Sequence, residues 1–507
     1  MLQLSDLRVS DNTQLVLGTA ACLGVVVGVI SRAYLPKSEN GLSLPPSPLT
    51  WRLRGHFIPP RNPFLTVAGW IDEHGPLITI RSGTEKIVII GRHDAVVDIM
   101  EKQGGSLADR PRLVAAGEIL NGGLSIILTP AGSMWRRMRR ALHTHLQPKS
   151  AEEYQPLQMS HAKNMVLNIL EDPANFQSHT ATYAATTITK IAYGKTTPIS
   201  ATDPEARLVR ENFQILRKTL RPGAYLVDMI PWLKYLPWYA QELKRGFESN
   251  RKLNTDQLNR VKRQIQSNVD VGPSFVKHML DNVQLHNLTE AEMAFLADSF
   301  YAAGFDTTTL AICTVLMAAA CFPDEQAKVQ AELDAVVGRH RVPTFADEQF
   351  LPRLHAFISE ALRWRPLVPS GLAHRTTKEV RNYCIPTGTT VIGHHWSISR
   401  DPDIFPEPHA FKPQRWINDQ GHLRDDLKFF IFGFGRRVCP GQHVATRSVF
   451  INSLLILWAF HLTLDATKSL DDMAFMRGED QPPFIEFKAR APETELRQMM
   501  QNDPDIV

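Results

Sequence analysis

Between Thr289 and Pro323 the chain carries one unbroken helical signal, and a helix of that length dictates much of the rest of the fold. Thr289 with Glu292 three residues later is a capping-box start, and the apolar pattern runs on to Phe322. Pro323 stops it, because proline lacks an amide hydrogen and biases its predecessor towards extended backbone. At about 1.5 Å per residue such a helix is about 50 Å long, and in a soluble domain it must pass through the core. Halfway along, Gly304, Asp306 and the threonines 307, 308 and 309 interrupt the apolar run. Glycine weakens a helix and hydroxyls compete for its backbone, so polar groups there need a reason. Helical spacing also dominates residues 92–365. By contrast, 77–81 and 86–90 are β-rich runs that read as a hairpin, and a second strand pair surrounds Pro386-Thr387-Gly388. The expected fold is mainly α with small β-sheets.

The 507 residues carry 56 Lys and Arg against 52 Asp and Glu, a net charge of +4 that is too mild to predict a nucleic-acid partner. Five cysteines (Cys22, Cys313, Cys321, Cys384, Cys439) without a CxxC pair argue against a disulfide scaffold or zinc ribbon and fit a reducing compartment. Residues 12–31 hold no charge, and as a helix they just span a hydrocarbon core of about 30 Å. Asp6, Arg8 and Asp11 do not make a positive n-region and no small-residue cleavage site follows Ile30, so a transmembrane anchor is expected rather than a cleaved signal. Arg32, Lys37, Arg52 and Arg54 then place the bulk of the chain in the cytosol and leave 1–11 as a short lumenal N-terminus. The sequon Asn287-Leu288-Thr289 stays unmodified in that topology. Prolines 45, 46, 48, 59, 60 and 63 make 32–63 a stiff hinge, and 64–507 reads as one large domain.

The strongest motif is Phe432-Gly433-Phe434-Gly435-Arg436-Arg437-Val438-Cys439-Pro440-Gly441, followed by a helical pattern from Gln442. Its glycines allow tight turns and close approach to a planar ligand. Cys439 sits just before a helix N-terminus, whose dipole and free amides favour a thiolate. An isolated free cysteine is more often a small buried hydrophobe. A dinucleotide loop is excluded, since no glycine occupies the sixth position. The ten residues match F-x-x-G-x-R-x-C-x-G, and in them the chain resembles the cytochrome P-450 family, whose heme iron is held by that cysteine. The resemblance continues at Ala303-Gly304-Phe305-Asp306-Thr307-Thr308 (oxygen activation), Glu360-Ala361-Leu362-Arg363 (E-x-x-R), Phe411-Lys412-Pro413-Gln414-Arg415-Trp416 and Trp135-Arg136-Arg137-Met138-Arg139 (W-x-x-x-R). Gln414 departs from the Glu that many members carry.

Trp135 and Arg139, four apart, share a helix face and suit two donors meeting one heme propionate. Arg136, Arg137 and Arg140 point elsewhere, as a solvated basic face or a docking patch for an acidic electron donor. Glu360 and Arg363 can pair locally with Arg415 as a second cation. This is a surface pair of little worth or, given apolar Leu354, Phe357, Ile358, Ala361 and Leu362, a buried triad. Asp306 and Thr307 either bond back to the preceding turn or, beside a heme, use a loosened turn at Gly304 as an oxygen pocket and relay protons. The resemblance assigns the triad to support of the heme loop. It adds Arg375, after His374, and Arg437 as propionate contacts, and Phe432 and Gly435 as parts of the loop holding the cofactor. The pairs His394/His395 and His143/His145 read as structural. The aromatic stretch 225–239, broken by Pro231 and Pro237, is either core or, by resemblance, a loop over the substrate channel that touches the membrane.

What the resemblance implies is a cytochrome P-450 fold, a single heme domain behind an N-terminal transmembrane helix. It would act as a heme-thiolate monooxygenase using heme b and O2, thiolate ligation by Cys439 favouring O–O cleavage. The chain holds no flavin or nicotinamide fingerprint, so NADPH electrons come through a separate NADPH-cytochrome P-450 reductase, with cytochrome b5 as an optional second donor. The implied location is the endoplasmic reticulum membrane, single-pass, with the catalytic domain facing the cytosol. Pro386-Thr387-Gly388-Thr389-Thr390-Val391 and the run from His395 to Pro402 resemble fungal microsomal members of the O-methylsterigmatocystin oxidoreductase-like type, which implies secondary metabolism or xenobiotic detoxification. By the same analogy, the apolar segments 113–127, 300–307 and 367–373 line a pocket for a terpenoid, steroid or polycyclic aromatic. The rival readings are a heme-thiolate isomerase or lyase that needs no O2, and a heme sensor without catalysis.

Overall fold

The computed structural model describes residues 44–50, 52, 55–83, 85–195, 203–221, 223–269, 272–380, 383–427, 430–477 and 484–501, with Thr19, Ala20 and Gly24. In chain order the principal elements are α1 (Pro63–His74), β1 (Leu77–Ser82), β2 (Glu85–Ile90), α2 (His93–Val96), α3 (Ser133–Leu146), α4 (Gln155–Glu171), α5 (Phe176–Tyr193), α6 (Pro204–Thr219), α7 (Gln241–Gln266), α8 (Glu290–Cys321), α9 (Pro323–Val336), α10 (Pro352–Trp364), β3 (Ala373–Arg375), β4 (Thr390–Gly393), α11 (Gln442–Ala459), β5 (Phe460–Leu464), β6 (Ile485–Ala489) and α12 (Glu493–Gln501). The fold is mainly helical with small sheets, as its periodicity predicts.

The core helix α8 starts where its cap requires. Thr289 Oγ1 accepts the Glu292 amide at 3.2 Å while Glu292 Oε2 accepts the Thr289 amide at 2.8 Å, satisfying two otherwise orphaned donors. It ends before Pro323, which opens α9 at a position where a missing amide hydrogen costs nothing. Helices α5 and α11 pack along it. The second half of α11, from Val449 to Ala459, is buried throughout.

A four-stranded sheet in the order β1-β2-β4-β3 sits at one side, with β2 and β4 parallel and the outer pairs antiparallel. Strand parity divides its side chains. Val88, Ile90 and Val391 join Val96, Ile99, Met100, Leu107 and Phe434 on one face, while Ile78, Ile80, Ile87 and Ile89 meet Val67 and Ile71 of α1 on the other. A sheet buried on both faces explains the unbroken apolar run of β2. Part of the expected hinge lies along β1: the Thr79 amide bonds Pro46 O at 2.7 Å, and the Arg81 amide bonds His56 Nδ1 at 2.9 Å. The expected anchor, residues 12–31, lies outside the described residues apart from Thr19, Ala20 and Gly24. Among the described residues one helix is long and apolar enough to cross a membrane, and it is α8, most of which is buried in the protein.

Candidate active site

Cys439 ends a loop built by two left-handed glycines, Gly433 (φ 82°) and Gly435 (φ 50°), and a single 3-10 turn over Gly435–Arg437. The Cys439 amide bonds back to Phe432 O at 2.8 Å, closing the loop just ahead of α11. Burial pushes the Cys439 thiol up, whereas the Gly441 amide and the Arg139 charge pull it down.

Around this loop the structure gathers cations. Arg139, on α3, donates to Val438 O inside the loop. Arg437 donates to Ala108 O at 2.7 Å, Thr129 O at 2.8 Å and Ile126 O at 3.4 Å, and its guanidinium lies 4.2 Å from the centre of the Trp135 ring. Trp135, Arg139, Phe432, Gly435, Arg437 and Cys439 are thus brought together. Arg375 is not. His374 pairs with Val391 on the face of the sheet that packs on Phe434, so its neighbour Arg375 points to the other face, where it is exposed and bonds Gly388 O at 3.3 Å. The expected propionate contact through Arg375 is corrected by strand parity, since adjacent residues face opposite ways.

Two other residues, His374 and Arg110, lie buried on the inward side instead. His374 is buried, its ring donating from Nδ1 to Leu107 O at 2.8 Å, and burial with nearby Arg110 lowers it to about 3. Arg110 is buried, donates to Ala373 O and leaves its Nε without a partner among the described residues. Burial lowers Arg110 to about 10. Burial and the neighbouring Arg110 and Arg139 charges lower Arg437 to about 9, and Asp109 offsets part of both shifts. A cluster of desolvated guanidiniums beside a neutral histidine is short of negative charge. A flat dianion such as heme would suit that donor set, the arginines taking its carboxylates and Cys439 its iron. Sequence offered a weak signal for Arg110, a cation just before Pro111, and none for which of His374 and Arg375 faces inward.

On α8, Ala303 is exposed among the half-buried Ala302, Gly304, Asp306 and Thr307, and Thr307 Oγ1 donates to Ala303 O at 2.6 Å. Thr309 and Thr314 bond back one turn in the same way, at 2.8 Å. The helix runs through Gly304 without a break, so no loosened turn is seen there. Glycine is required for a different reason, because a Cβ at Gly304 would lie 2.5 Å from Ile188 Cδ1 of α5. Asp306 is half-buried one residue before Thr307.

Glu360 and Arg363 on α10 are both fully buried and form a bidentate pair at 2.7 and 2.8 Å. Arg415 Nε (3.2 Å), the Lys412 amide (2.7 Å) and Trp416 Nε1 (3.0 Å) complete the shell of Glu360. Burial alone would raise the Glu360 carboxyl, but Arg363, the Lys412 amide and Arg415 together hold it below its ordinary value. Of the arginines expected to point away from the loop, Arg136 and Arg140 are exposed. Arg137 instead donates to the buried Glu292 at 2.8 Å, tying α3 to the cap of α8.

The Cytochrome P450 family model matches residues 45–481. Cytochrome P450 monooxygenase 113 of Postia placenta is 45% identical over 462 residues, covering 90% of this chain and 93% of the relative. Cytochrome P450 monooxygenase 64 of the same fungus is 46% identical over 435 residues, covering 85% and 88%. Cytochrome P450 monooxygenase aneD of Aspergillus aculeatus is 32% identical over 454 residues, covering 88% and 84%.

Proposed function

From the premise that this chain belongs to the cytochrome P450 family and is a monooxygenase, with the heme iron the family implies, we propose that it hydroxylates or otherwise oxidises a hydrophobic small molecule of the terpenoid, steroid or polycyclic aromatic class. The setting is fungal secondary metabolism or xenobiotic detoxification, with NADPH electrons delivered by a separate reductase. The observation that carries the reading is the Cys439 loop set among the desolvated cations Arg110, Arg139 and Arg437. Heme bound there supplies the activation of dioxygen.

The chain's own residues do the rest. Cys439 would hold the heme iron as a thiolate, and Arg110, Arg139, Arg437 and Trp135 would hold the propionates. Thr307 Oγ1, anchored by its bond to Ala303 O, keeps its lone pairs free to hold a water on the exposed patch of α8, and Asp306 returns protons to it from outside. Apolar Ile127, Val368 and Leu372 are left exposed in segments expected to line the pocket, which supports an apolar substrate.

The exposed apolar residues Leu226, Met229, Ile230, Trp232, Tyr235 and Trp238 support contact with a membrane surface beside an anchor at 12–31. Arg136 and Arg140 support docking of an acidic reductase, to the exclusion of Arg137. The test is the absorption spectrum of the dithionite-reduced, carbon monoxide-bound protein in membranes, alongside Cys439→Ala. A red-shifted Soret band present in the wild type and lost in the variant supports thiolate ligation, and its absence from heme-loaded wild type overturns it. Reductase-dependent consumption of NADPH and O2 with an apolar substrate then separates a monooxygenase from an O2-independent isomerase.

A further inference from the structure

Helix α2 does not end at Val96. It runs into a π-helical turn, Val97–Glu101, in which the Lys102 amide reaches back five residues to Val97 O at 2.9 Å. Such turns are rare and concentrate at functional sites, because the extra residue per turn redirects a side chain without ending the helix. Here the last residue of the turn is Glu101, and its Oε1 accepts the Gly435 amide at 2.7 Å across 334 positions of sequence. Gly435 is the left-handed corner of the Cys439 loop. A Cβ on it would lie 2.5 Å from Met100 O, and a Cβ on the buried Gly104 would lie 2.7 Å from the same oxygen, each also 3.1 Å from the other glycine's Cα. The backbone of the π turn and that of the loop are therefore in direct contact, with glycine needed on both sides and one charge-assisted hydrogen bond fixing the register between them.

We propose that Glu101 is a positioning residue for the iron ligand. The π turn delivers its carboxylate to the Gly435 amide, and this bond holds the loop in the conformation that presents Cys439. The proposal rests on the heme-thiolate reading above, since it concerns how the thiolate is presented and not whether it is the ligand. Glu101 bonds the backbone of the loop at Gly435 and not Cys439 itself, so its effect should appear in the ligation state of bound heme. A charge-assisted hydrogen bond at the lower end of its usual strength corresponds to about a tenfold change in the ratio of correctly ligated to misligated heme.

The test is the reduced, carbon monoxide-bound spectrum of the heme-loaded full chain, read per heme bound, for wild type, Glu101→Ala, Glu101→Gln and Glu101→Asp. The expected result is a fall of about tenfold or more in the ratio of red-shifted to unshifted Soret band for the alanine variant, partial rescue by glutamine, which keeps an acceptor oxygen at the same reach but loses the charge, and an intermediate loss for the shorter aspartate. The aspartate and glutamine variants carry the comparison even if the alanine variant takes up no heme. Ratios equal to wild type in both the alanine and aspartate variants overturn the proposal, as does an equal loss in glutamine and alanine, which would leave no role for the acceptor. A wild type lacking the red-shifted band overturns the underlying reading of Cys439 instead, so the two failures are distinct.

Discussion

Replacing Glu360 by glutamine changes one atom in a fully buried side chain that accepts five hydrogen bonds. Arg363 Nη2, the Lys412 amide and Arg415 Nε converge on one oxygen, Arg363 Nε and Trp416 Nε1 on the other. However the amide is turned, its NH2 faces at least two of these donors, and Arg363, with no exposed side-chain surface, keeps its charge without a counter-ion. Breaking a buried pair in this way costs about 3–5 kcal/mol. An unfolding entropy of roughly 2.1 cal/mol/K per residue over 507 residues gives about 1 kcal/mol per degree, so Glu360→Gln should lower Tm by only about 3–5 °C. The informative assay is therefore a urea titration of the heme-loaded protein as a function of pH. Folded Glu360 is held below its ordinary value of 4.5. Its stabilisation is complete above that pH and is lost as pH falls through the lower folded value, so the variant should lose that component of acid sensitivity. A Glu360→Met/Arg363→Met double variant should recover part of the loss, because the more deeply buried of the two uncompensated charges is gone while Arg415 keeps its own. A Glu360→Gln protein with unchanged Tm, urea midpoint and acid profile would refute the reasoning.

Gly304→Ala should destabilise by about 1–3 kcal/mol through collision with Ile188, offset in part by better helix propensity, and Ile188→Ala should relieve it in a chemical denaturation series. Arg437→Lys cannot reproduce bonds to three carbonyls, and its heme dissociation constant should rise by about tenfold or more in a heme-transfer assay. Burial lowers His145 and His395 to about 4, and His394 to about 3, from 6.5. Because these folded values are depressed, their contribution is intact above 6.5 and is lost as pH falls towards 4, so the urea midpoint should drop across that window and drop less in His394→Gln. Intact mass of the protein from a eukaryotic host should show Asn287, although exposed, without glycan; a glycan there would place the domain on the lumenal side.

Features written in local sequence were the ones most legible. The Thr289/Glu292 cap, the Pro323 stop, the β1–β2 hairpin and the glycine-cysteine loop each need only a few neighbouring residues to specify them. Contacts between distant segments were not. Nothing near Arg137 announces Glu292, 155 positions away, and nothing near Glu101 announces Gly435. The inward choice between His374 and Arg375 depends on the register with β4, which local alternation cannot supply. The polar residues beside Gly304 suggest either back-bonding hydroxyls or a loosened turn; the first is what Thr307 does, and the glycine itself answers to Ile188 on another helix.

The parallel pairing of β2 with β4 also sets the order of events at the ribosome. Ile87 bonds into register with Thr390, and Ile90 with Gly393, so the apolar edge of β2 has no partner until some 300 further residues are made. At the usual 5–20 residues per second that is about 15–60 s. Throughout that interval the nascent chain carries a bare β-edge of Ile87, Val88, Ile89 and Ile90, a template for mispairing with other chains. The proposed cofactor cradle, drawn from residues on both sides of that gap, can close only after synthesis has passed Cys439. Loading at the proposed site thus has to wait until Cys439 has been made, and yield in a foreign host should respond more to elongation speed and chaperone supply than to the cofactor's concentration early in synthesis.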